Sequence, residues 1–461
     1  MCLPALADAI AGHPNWRAFL AGAGLTLFAG GVLLLGCRAP GVALTLRQTF
    51  LAMTLSWVAA AFFSALPFML SHLSLGLTAS YFEAMSGLTT TGATILRGLD
   101  EMPPGILLWR SLLQWLGGIG IVILAVSVLP ALRIGGMQIF LISGTEPSAT
   151  AMPRITRIVT MLLGVYAALT LVLLGALWGA GLSPFEAVNH AMSAISTGGF
   201  STSDSSVARF NDSLVDAIIL AGMVAGGMPF LLFYRLVQRD WQSVLRDDQL
   251  RWYAALLFAA TVAVTSWLAL ARGVPFETAL HHGAFTVASV MTGTGFHATD
   301  FSNWGSFPLT ILFFLTFVGG CAGSTAAGIK IFRFHTLLVT ARVQALKLLQ
   351  PNAVLLPYFN NRPIPPPVTE SVMGFLFVYV LCFGLLAIGL ALTGLDFMTS
   401  LSAAASAIAN LGPALGPPIG PGTSFALLPD VAKWLLAFGM LLGRLELFLV
   451  LVLFMPAFWR D

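Results

Sequence analysis

Apolar stretches of membrane-spanning length recur along almost the whole chain, and they limit what it can fold into. Residues 16–36, 50–70 and 372–392 are clear examples. A helix needs about 20 apolar residues to cross the hydrocarbon core of a bilayer. Only 9% of the 461 residues are charged, whereas about a quarter are charged in soluble domains. We therefore expect an all-α polytopic membrane protein.

Four short phrases rich in glycine and polar uncharged residues interrupt these apolar stretches. Their equivalent glycines are separated by 107, 96 and 117 residues, and they are Gly92, Gly199, Gly295 and Gly412. A segment too short to cross a bilayer precedes each phrase. In three copies this segment opens with a residue type that caps helix N-termini, namely Thr78, Ser183 and Asp396. We expect a half-helix before each glycine phrase.

Each unit therefore consists of a spanning helix, a half-helix, a glycine loop and a second spanning helix. Four units in one orientation predict four M1-P-M2 pore-loop repeats with pseudo-four-fold symmetry around one ion pore. We place the repeats at residues 47–135, 136–240, 241–345 and 346–461, after an extra N-terminal helical segment at 1–46. The second spans of repeats one, two and four are expected to be continuous, at residues 105–129, 214–236 and 434–454.

The composition of the glycine loops favours a monovalent cation. Glycine tolerates positive φ, and irregular backbone at membrane depth is allowed where it lines a cavity. Rings of backbone carbonyls can then replace the water shell of a cation, towards which the negative end of each half-helix dipole points. A calcium or magnesium site would want Asp or Glu, which the loops lack. The alternative is that these glycines only allow close helix packing.

A second glycine-rich run, residues 317–330, lies where the second span of repeat three should cross the membrane. We expect an unwound loop beneath the filter that obstructs the ion path, with a close-packed helix kink as the alternative. Lys330 ends this run, and Arg444 and Glu446 lie inside the last span. Because intramembrane charges are rare and usually face a cavity or a partner, we expect Arg444 to pair with Glu446 or to lie near the pore. The alternative is a purely structural role that holds the short helices in place.

The distribution of Lys and Arg predicts the orientation. Basic residues are concentrated in the connections opposite the glycine loops, so the loops should face outward and the basic connections the cytoplasm. Acidic residues on the outer side are expected to concentrate cations at the mouth, and they include Asp100, Glu101, Asp204, Asp212 and Asp300. His297 follows the third loop as a polar mouth residue or, alternatively, a pH sensor. The long connections at 235–251 and 340–369 are solvated loops or a docking surface for a soluble regulator.

Other classes of function find little support. No metalloprotease motif or nucleophile–base pair is evident, and Glu186 and His190 on the second half-helix are expected to be structural, so we do not expect an enzyme. The net charge of +3 does not argue for nucleic acid, and the four cysteines show no metal-ligand spacing. A sodium-coupled carrier with inverted repeats is the alternative transporter, but the four units share one orientation.

The sequence resembles the membrane subunits of the Trk, Ktr and HKT potassium transporters, and most closely the bacterial Trk type. The resemblance covers the whole chain and is most specific at residues 86–94, 114–120, 199–204, 319–333, 410–416 and 443–460. It implies a homodimer with one pore per protomer in the inner membrane, in contact with membrane lipid. It also implies a cytosolic ring of regulatory subunits that binds NAD or ATP, so this chain itself would need no cofactor.

The resemblance also implies roles for individual residues. Potassium, or potassium with some sodium, would be held only at the filter, by the four glycines and the residues just before them: Thr90, Thr91, Gly92, Thr197, Gly198, Gly199, Gly293, Thr294, Gly295, Asn410, Leu411 and Gly412. The gating loop would comprise Gly319, Gly320, Cys321, Ala322, Gly323, Ser324, Thr325 and Gly328, with Lys330 after it. From its place in the last span, and not from the resemblance, Arg444 is predicted to be a pore-proximal charge.

Overall fold

The computed structural model describes residues 1–37, 45–127, 136, 151–416, 419–420 and 422–460. Within them, regular structure is helical apart from two short antiparallel strands, β1 (Tyr358–Phe359) and β2 (Arg362–Pro363). The predicted all-α fold is confirmed.

The N-terminal segment and the first repeat supply five helices. Their bounds are α1 Cys2–Ile10, α2 Trp16–Gly36, α3 Leu46–Leu70, α4 Leu77–Leu88 and α5 Pro104–Ser127. The short helix α1 packs on α2 and α5. The carboxylate of Asp8, which is fully buried in α1, accepts a hydrogen bond of 2.6 Å from the backbone N–H of Gly105 at the start of α5.

The other three repeats continue the pattern. Repeat two contains α6 Ala151–Gly179, α7 Pro184–Ile195, α8 Ser213–Gly226 and α9 Phe230–Val237. The third contains α10 Trp241–Leu245, α11 Asp248–Arg272, α12 Phe276–Met291, α13 Ser306–Val318 and α14 Ile331–Leu349. The fourth contains α15 Pro366–Leu392, α16 Phe397–Ala409, α17 Asp430–Arg444, α18 Phe448–Leu451 and α19 Pro456–Trp459. The repeat boundaries stay predictions, and α14 runs past the one at 345.

Six of these helices are long and apolar enough to cross a membrane, namely α2, α3, α5, α6, α11 and α15. In α5, 67% of the apolar window is buried, whereas in the other five the buried share is 17–22%. The five therefore form an apolar periphery suited to lipid, and α5 lies inside. The chain is an integral membrane protein.

The half-helices and second spans alternate around a closed ring. Helix α5 packs on half-helices α4 and α7, and α8 packs on α7 and α12. Helix α13 packs on α12 and α16, and α17 packs on α16 and again on α4. Each second span thus contacts the half-helix of its own repeat and that of the next, which produces pseudo-four-fold symmetry around a central axis.

The half-helices begin largely where capping chemistry predicts. Ser183 forms a capping box with Glu186 at the start of α7, and Asp396 accepts from the backbone N–H of Thr399 in α16. The expectation for Thr78 was wrong, because α4 begins at Leu77 and its N-cap is Gly76, two residues before Thr78. The hydroxyl of Thr78 instead accepts a hydrogen bond of 3.2 Å from the indole N–H of Trp434.

Two predicted continuous spans are broken. In repeat two the chain bends by 100° between α8 and α9, and in repeat four it bends by 111° between α17 and the segment Phe448–Phe454. Pro229 is the N-cap of α9, where its fixed φ and missing N–H suit a helix start and would disrupt a helix interior. Glu446 and Leu447 have positive φ at the second break. Interruption of the second span is therefore not confined to repeat three, contrary to expectation.

Candidate ion pathway

The four predicted filter glycines form a closed ring. A Cβ atom on Gly92 would overlap the carbonyl oxygen of Gly198, and one on Gly199 would overlap that of Thr294. A Cβ on Gly295 would meet the carbonyl of Leu411, and one on Gly412 would meet that of Thr91 and close the circle. Each glycine thus abuts the residue that precedes the next glycine. No side chain fits at these four positions without moving the backbone of the neighbouring loop.

The loops share one backbone conformation. All four glycines have positive φ, between 79° and 95°. The residues two positions earlier also have positive φ, at 53° for Thr90, 51° for Thr197, 72° for Gly293 and 52° for Asn410. Three of these residues are not glycines, although left-handed backbone is uncommon for other residues. The conformation recurs because the packing of the ring requires it in every repeat.

A serine that sequence reasoning missed supports each loop. Ser86, Ser193, Ser289 and Ser406 each lie six residues before a filter glycine. Their backbone carbonyls accept hydrogen bonds of 2.8–2.9 Å from the N–H of Thr91, Gly198, Thr294 and Leu411, the residues that precede the four glycines. The bond links the last turn of each half-helix to its loop. Alignment of the four half-helices on the glycines would have revealed the repeated serine.

A vestibule of about 1080 Å³, open to solvent, leads to the ring, and all four filter glycines line it. Of the five acidic residues predicted at the mouth, Asp204 is the one that lines this vestibule. Its carboxylate accepts from the backbone N–H groups of Gly98 and Leu99, and Arg97 lines the same space. Asp100 pairs with Arg209, and Asp212 and Asp300 cap helices, so the expected concentration of cations by outer acids stays a prediction.

His297 lies in this vestibule, outside the spanning helices. Burial lowers its pKa to about 4, and the nearby charge of Asp300 offsets only part of that effect. The imidazole is therefore neutral at ordinary pH. This agrees with a polar mouth residue better than with a pH sensor.

A buried ion pair that sequence reasoning missed stands behind the first two loops. The guanidinium of Arg110 in α5 donates to the carboxylate of Glu83 in α4 at 2.8 Å, and both side chains are at most 1% exposed. Arg110 also donates to the carbonyl oxygen of Ser201, and Glu83 accepts from the hydroxyl of Thr94. Only the fold shows that Arg110 is internal.

The predicted gating loop is a closed loop between α13 and α14, hereafter the intramembrane loop (residues 319–330). Backbone hydrogen bonds join its two ends, from Ile329 to Phe317 and from Lys330 to Val318, both at 3.0 Å. Gly319 and Gly328 have positive φ and touch at this neck, where a Cβ on Gly319 would overlap the backbone. This is an ordered unwound loop, so the alternative of a kinked helix is wrong.

The intramembrane loop fills the break in repeat two and touches the filter. Cys321 and Thr325 donate backbone hydrogen bonds to the carbonyls of Gly227 and Gly226. The Thr325 hydroxyl donates to the carbonyl of Ile195 at 2.9 Å and lies 3.3 Å from the hydroxyl of the filter residue Thr197. The contacts of Thr325 place the loop directly beside the second filter loop.

The remaining loop residues are also held in place. The N–H of Ala322 donates to the Gln249 side chain at 2.9 Å, and the Ser324 hydroxyl donates to the carbonyl of Cys321 at 2.6 Å. The carbonyl of Gly323 accepts from Phe230, the first residue of α9. A Cβ on Gly320 would overlap the side chain of Ala326.

Two charged residues of the broken last span hold the intramembrane loop. Arg444 donates to the carbonyl oxygen of Thr325 at 2.9 Å. Glu446 does not pair with Arg444; its carboxylate lies 2.5 Å from the Arg333 guanidinium and 3.5 Å from the Lys330 ammonium. All four side chains are buried. Arg444 therefore lies on the loop, and Glu446 joins the loop to the start of α14.

Comparisons with known proteins agree with this architecture. Residues 16–460 match the family model TrkH, described as a cation transport protein. The Trk system potassium uptake protein TrkI of Halomonas elongata is 40% identical over all of this chain and 94% of its own length. The Trk system potassium uptake protein TrkH of Escherichia coli strain K12 is 36% identical over all of this chain and 96% of its own.

A solved structure matches as well. The crystal structure of the potassium transporter TrkH from Vibrio parahaemolyticus has a TM-score of 0.90 to this chain at 33% sequence identity, over 99% of this chain and 95% of that one. The predicted resemblance to the Trk type and the expectation of a transport protein, not an enzyme, are confirmed. The chain belongs to the TrkH family of cation transport proteins.

Proposed function

We propose that this chain is the ion-translocating membrane subunit of a potassium uptake system. The observation that carries the proposal is the closed ring of Gly92, Gly199, Gly295 and Gly412 at the end of an open vestibule. Four uncharged loops meet there, each at the C-terminal end of a half-helix, whose dipole amounts to about half a negative charge. The relatives with 32–40% identity are named potassium uptake proteins.

The ion would be held by backbone carbonyls of the filter residues. The ligand set comprises Thr90, Thr91, Thr197, Gly198, Gly293, Thr294, Asn410 and Leu411, with no carboxylate among them. Neutral oxygen ligands bind a monovalent ion weakly enough for it to leave again. Because the filter has one ring glycine per repeat, we expect potassium to be preferred over sodium less strictly than in a longer ladder of carbonyls.

The intramembrane loop would be the gate. Thr325 lies next to Thr197, and the ends of the loop continue into α13 and α14, so a displacement of α14 would pull the loop away from the filter. Exposed basic side chains lie on the connections that include α9, α10 and α14, and they include Arg239, Arg246, Arg342 and Lys347. These surfaces suit a cytosolic regulatory ring that binds NAD or ATP, and the same distribution of basic residues supports filters on the outer side of the inner membrane. A homodimer with one pore per protomer completes the proposal.

Ion flux through reconstituted protein tests this function. Liposomes that contain the purified chain, with and without its regulatory subunit, are compared for K⁺ and Na⁺ movement down a gradient. We expect K⁺ flux that exceeds Na⁺ flux, and an altered ratio in Gly295→Ser. No flux under either condition would refute the proposed function, and an unchanged ratio would refute the filter assignment. Removal of residues 319–328 should raise flux, and the absence of a rise would refute the gate.

A further inference from the structure

Gln114 of α5 holds both sides of the second filter glycine. Its side-chain Nε2 donates to the carbonyl oxygen of Gly198 at 2.6 Å, and its Oε1 accepts from the backbone N–H of Phe200 at 3.1 Å. The side chain is 0% exposed. The amide can have only this orientation, because the carbonyl can only accept and the N–H can only donate. One amide therefore spans Gly199 and fixes the residues before and after it.

The atoms around the Gln114 amide pack closely against it and leave no room for a larger neighbour. A Cβ on Gly198 would overlap the Gln114 amide, so a residue with a side chain would displace it. One helical turn earlier, Arg110 donates to the carbonyl of Ser201 in the same loop. A Cβ on Gly118, one turn later, would lie 2.8–2.9 Å from side-chain atoms of Tyr166 and Ser196. Helix α5 is thus fitted closely to the second filter loop.

A side-chain donor to the carbonyl before the ring glycine is found in the second filter loop only, among the described residues. The equivalent carbonyls of the other filter loops belong to Thr91, Thr294 and Leu411. Among the residues that the structure describes, no side chain donates to any of these three. The carbonyl of Gly198 also abuts Gly92 of the first filter loop. A shift of Gly198 would therefore change the spacing between two adjacent walls of the ring.

We propose that Gln114 is a positioning residue that determines ion specificity through the carbonyl of Gly198. This inference rests on the proposed potassium function of the ring. The amide N–H of Gln114 draws electron density from the carbonyl of Gly198 and sets the position of the second filter loop. Without the donor, the carbonyl presents a stronger field and can move towards a smaller ion. Both changes favour Na⁺, since selectivity depends on the cavity size and on the field strength of the coordinating carbonyls.

The substitution Gln114→Glu tests this role with little change of shape. Because burial favours the neutral carboxyl, which can still donate, flux of this variant is measured at pH 9 and above; the ionised carboxylate keeps an acceptor for the Phe200 N–H but cannot donate to Gly198. The net contribution of one hydrogen bond is about 1 kcal/mol, which is roughly fivefold in an equilibrium ratio. We therefore expect the K⁺/Na⁺ permeability ratio in liposomes to fall about fivefold while K⁺ flux persists. Gln114→Met, which removes both hydrogen bonds without adding charge, should lower the ratio as well.

The matched control is Gln350→Glu, the same substitution at an exposed position that ends α14, and it should leave the ratio unchanged. A ratio within twofold of wild type in a Gln114 variant that conducts would overturn the inference, as would a proportionate loss of K⁺ and Na⁺ flux. If Gln114→Glu fails to enter the membrane, Gln114→Met carries the same test. Absence of K⁺ flux in wild-type protein would instead refute the proposed function.

Discussion

The substitution Glu446→Gln removes the carboxylate that ties the base of the intramembrane loop to the broken last span. Among the described residues it is the carboxylate that contacts Lys330 and Arg333, at 3.5 Å and 2.5 Å. Glutamine has nearly the same shape but no negative charge. We expect the substitution to destabilise the closed position of the loop and to raise ion flux in the absence of a regulator.

The expected rise in ion flux in Glu446→Gln follows from two opposing free-energy contributions. Removal of one partner of a buried ion pair destabilises the structure by about 3–5 kcal/mol. The glutamine oxygen still accepts one hydrogen bond, so we expect the closed position of the loop to lose about 3 kcal/mol, the lower end of this range. The positive charge that Glu446 no longer neutralises opposes cation passage by about 2 kcal/mol, for an assumed separation of about 8 Å and an effective dielectric constant of about 20. The difference of about 1 kcal/mol predicts roughly a fivefold rise in flux.

Uptake of ⁸⁶Rb⁺ into liposomes without the regulatory subunit measures this change. Lys330→Met removes the same contact together with a positive charge, so both contributions act in one direction. The expected order of flux is Lys330→Met above Glu446→Gln above wild type. Flux in Glu446→Gln at or below the wild-type level, in protein that is correctly inserted, would refute the role of this contact.

Three further changes probe the ring, a half-helix and the vestibule. Gly199→Ala should abolish ion flux, because a Cβ there overlaps the next filter loop and the positive φ costs an alanine roughly 1–2 kcal/mol of conformational energy. The control Gly164→Ala, at a site with open space, should conduct normally. Equal flux in the two variants would contradict the close approach of the filter loops. Ser183→Ala removes an N-cap and should lower the stability of the protein by about 1 kcal/mol, measured as a lower thermal unfolding midpoint in detergent. Burial holds the pKa of His297 at about 4, below its ordinary value of 6.5, so the stability of the protein should decrease as pH falls from about 6.5 towards 4, and should decrease less in His297→Asn. Ion flux between pH 6 and 8 should be the same in the two proteins. A difference in flux would support a role of His297 as a pH sensor.

The sequence predicts the architecture well because the relevant forces act locally along the chain. Length and hydropathy identify the spanning helices, and α2 has the predicted bounds. The four ring positions are recognisable in the sequence because each is a glycine, the residue that tolerates a left-handed backbone. The breaks at 227–229 and 445–447 are not revealed by length and hydropathy, because each bent pair of helices is together long and apolar enough to pass as one span. At the first break the signal is tertiary, since the intramembrane loop of repeat three occupies the space there.

The polar partners within the core could not be derived from the sequence. Arg110 pairs with Glu83 across 27 positions, and Glu446 with Arg333 across 113. No local spacing reports such distant contacts. Gln114 lies in a stretch that carries the family resemblance, but its role becomes visible only when the second filter loop is placed against α5. Thr78 shows the opposite limit, because a good capping residue lies two positions past the N-cap Gly76 and its hydroxyl accepts from Trp434 instead.

The central claim is that the ring of Gly92, Gly199, Gly295 and Gly412 holds the transported ion. Crystals of the protein grown with Tl⁺ in place of K⁺ allow this ion to be located by anomalous scattering. We predict an anomalous peak on the axis of the ring, within coordination distance of carbonyl oxygens from all four filter loops, and its loss when excess K⁺ competes. A ring without a peak, beside a K⁺-displaceable Tl⁺ site elsewhere in the protein, would contradict the account.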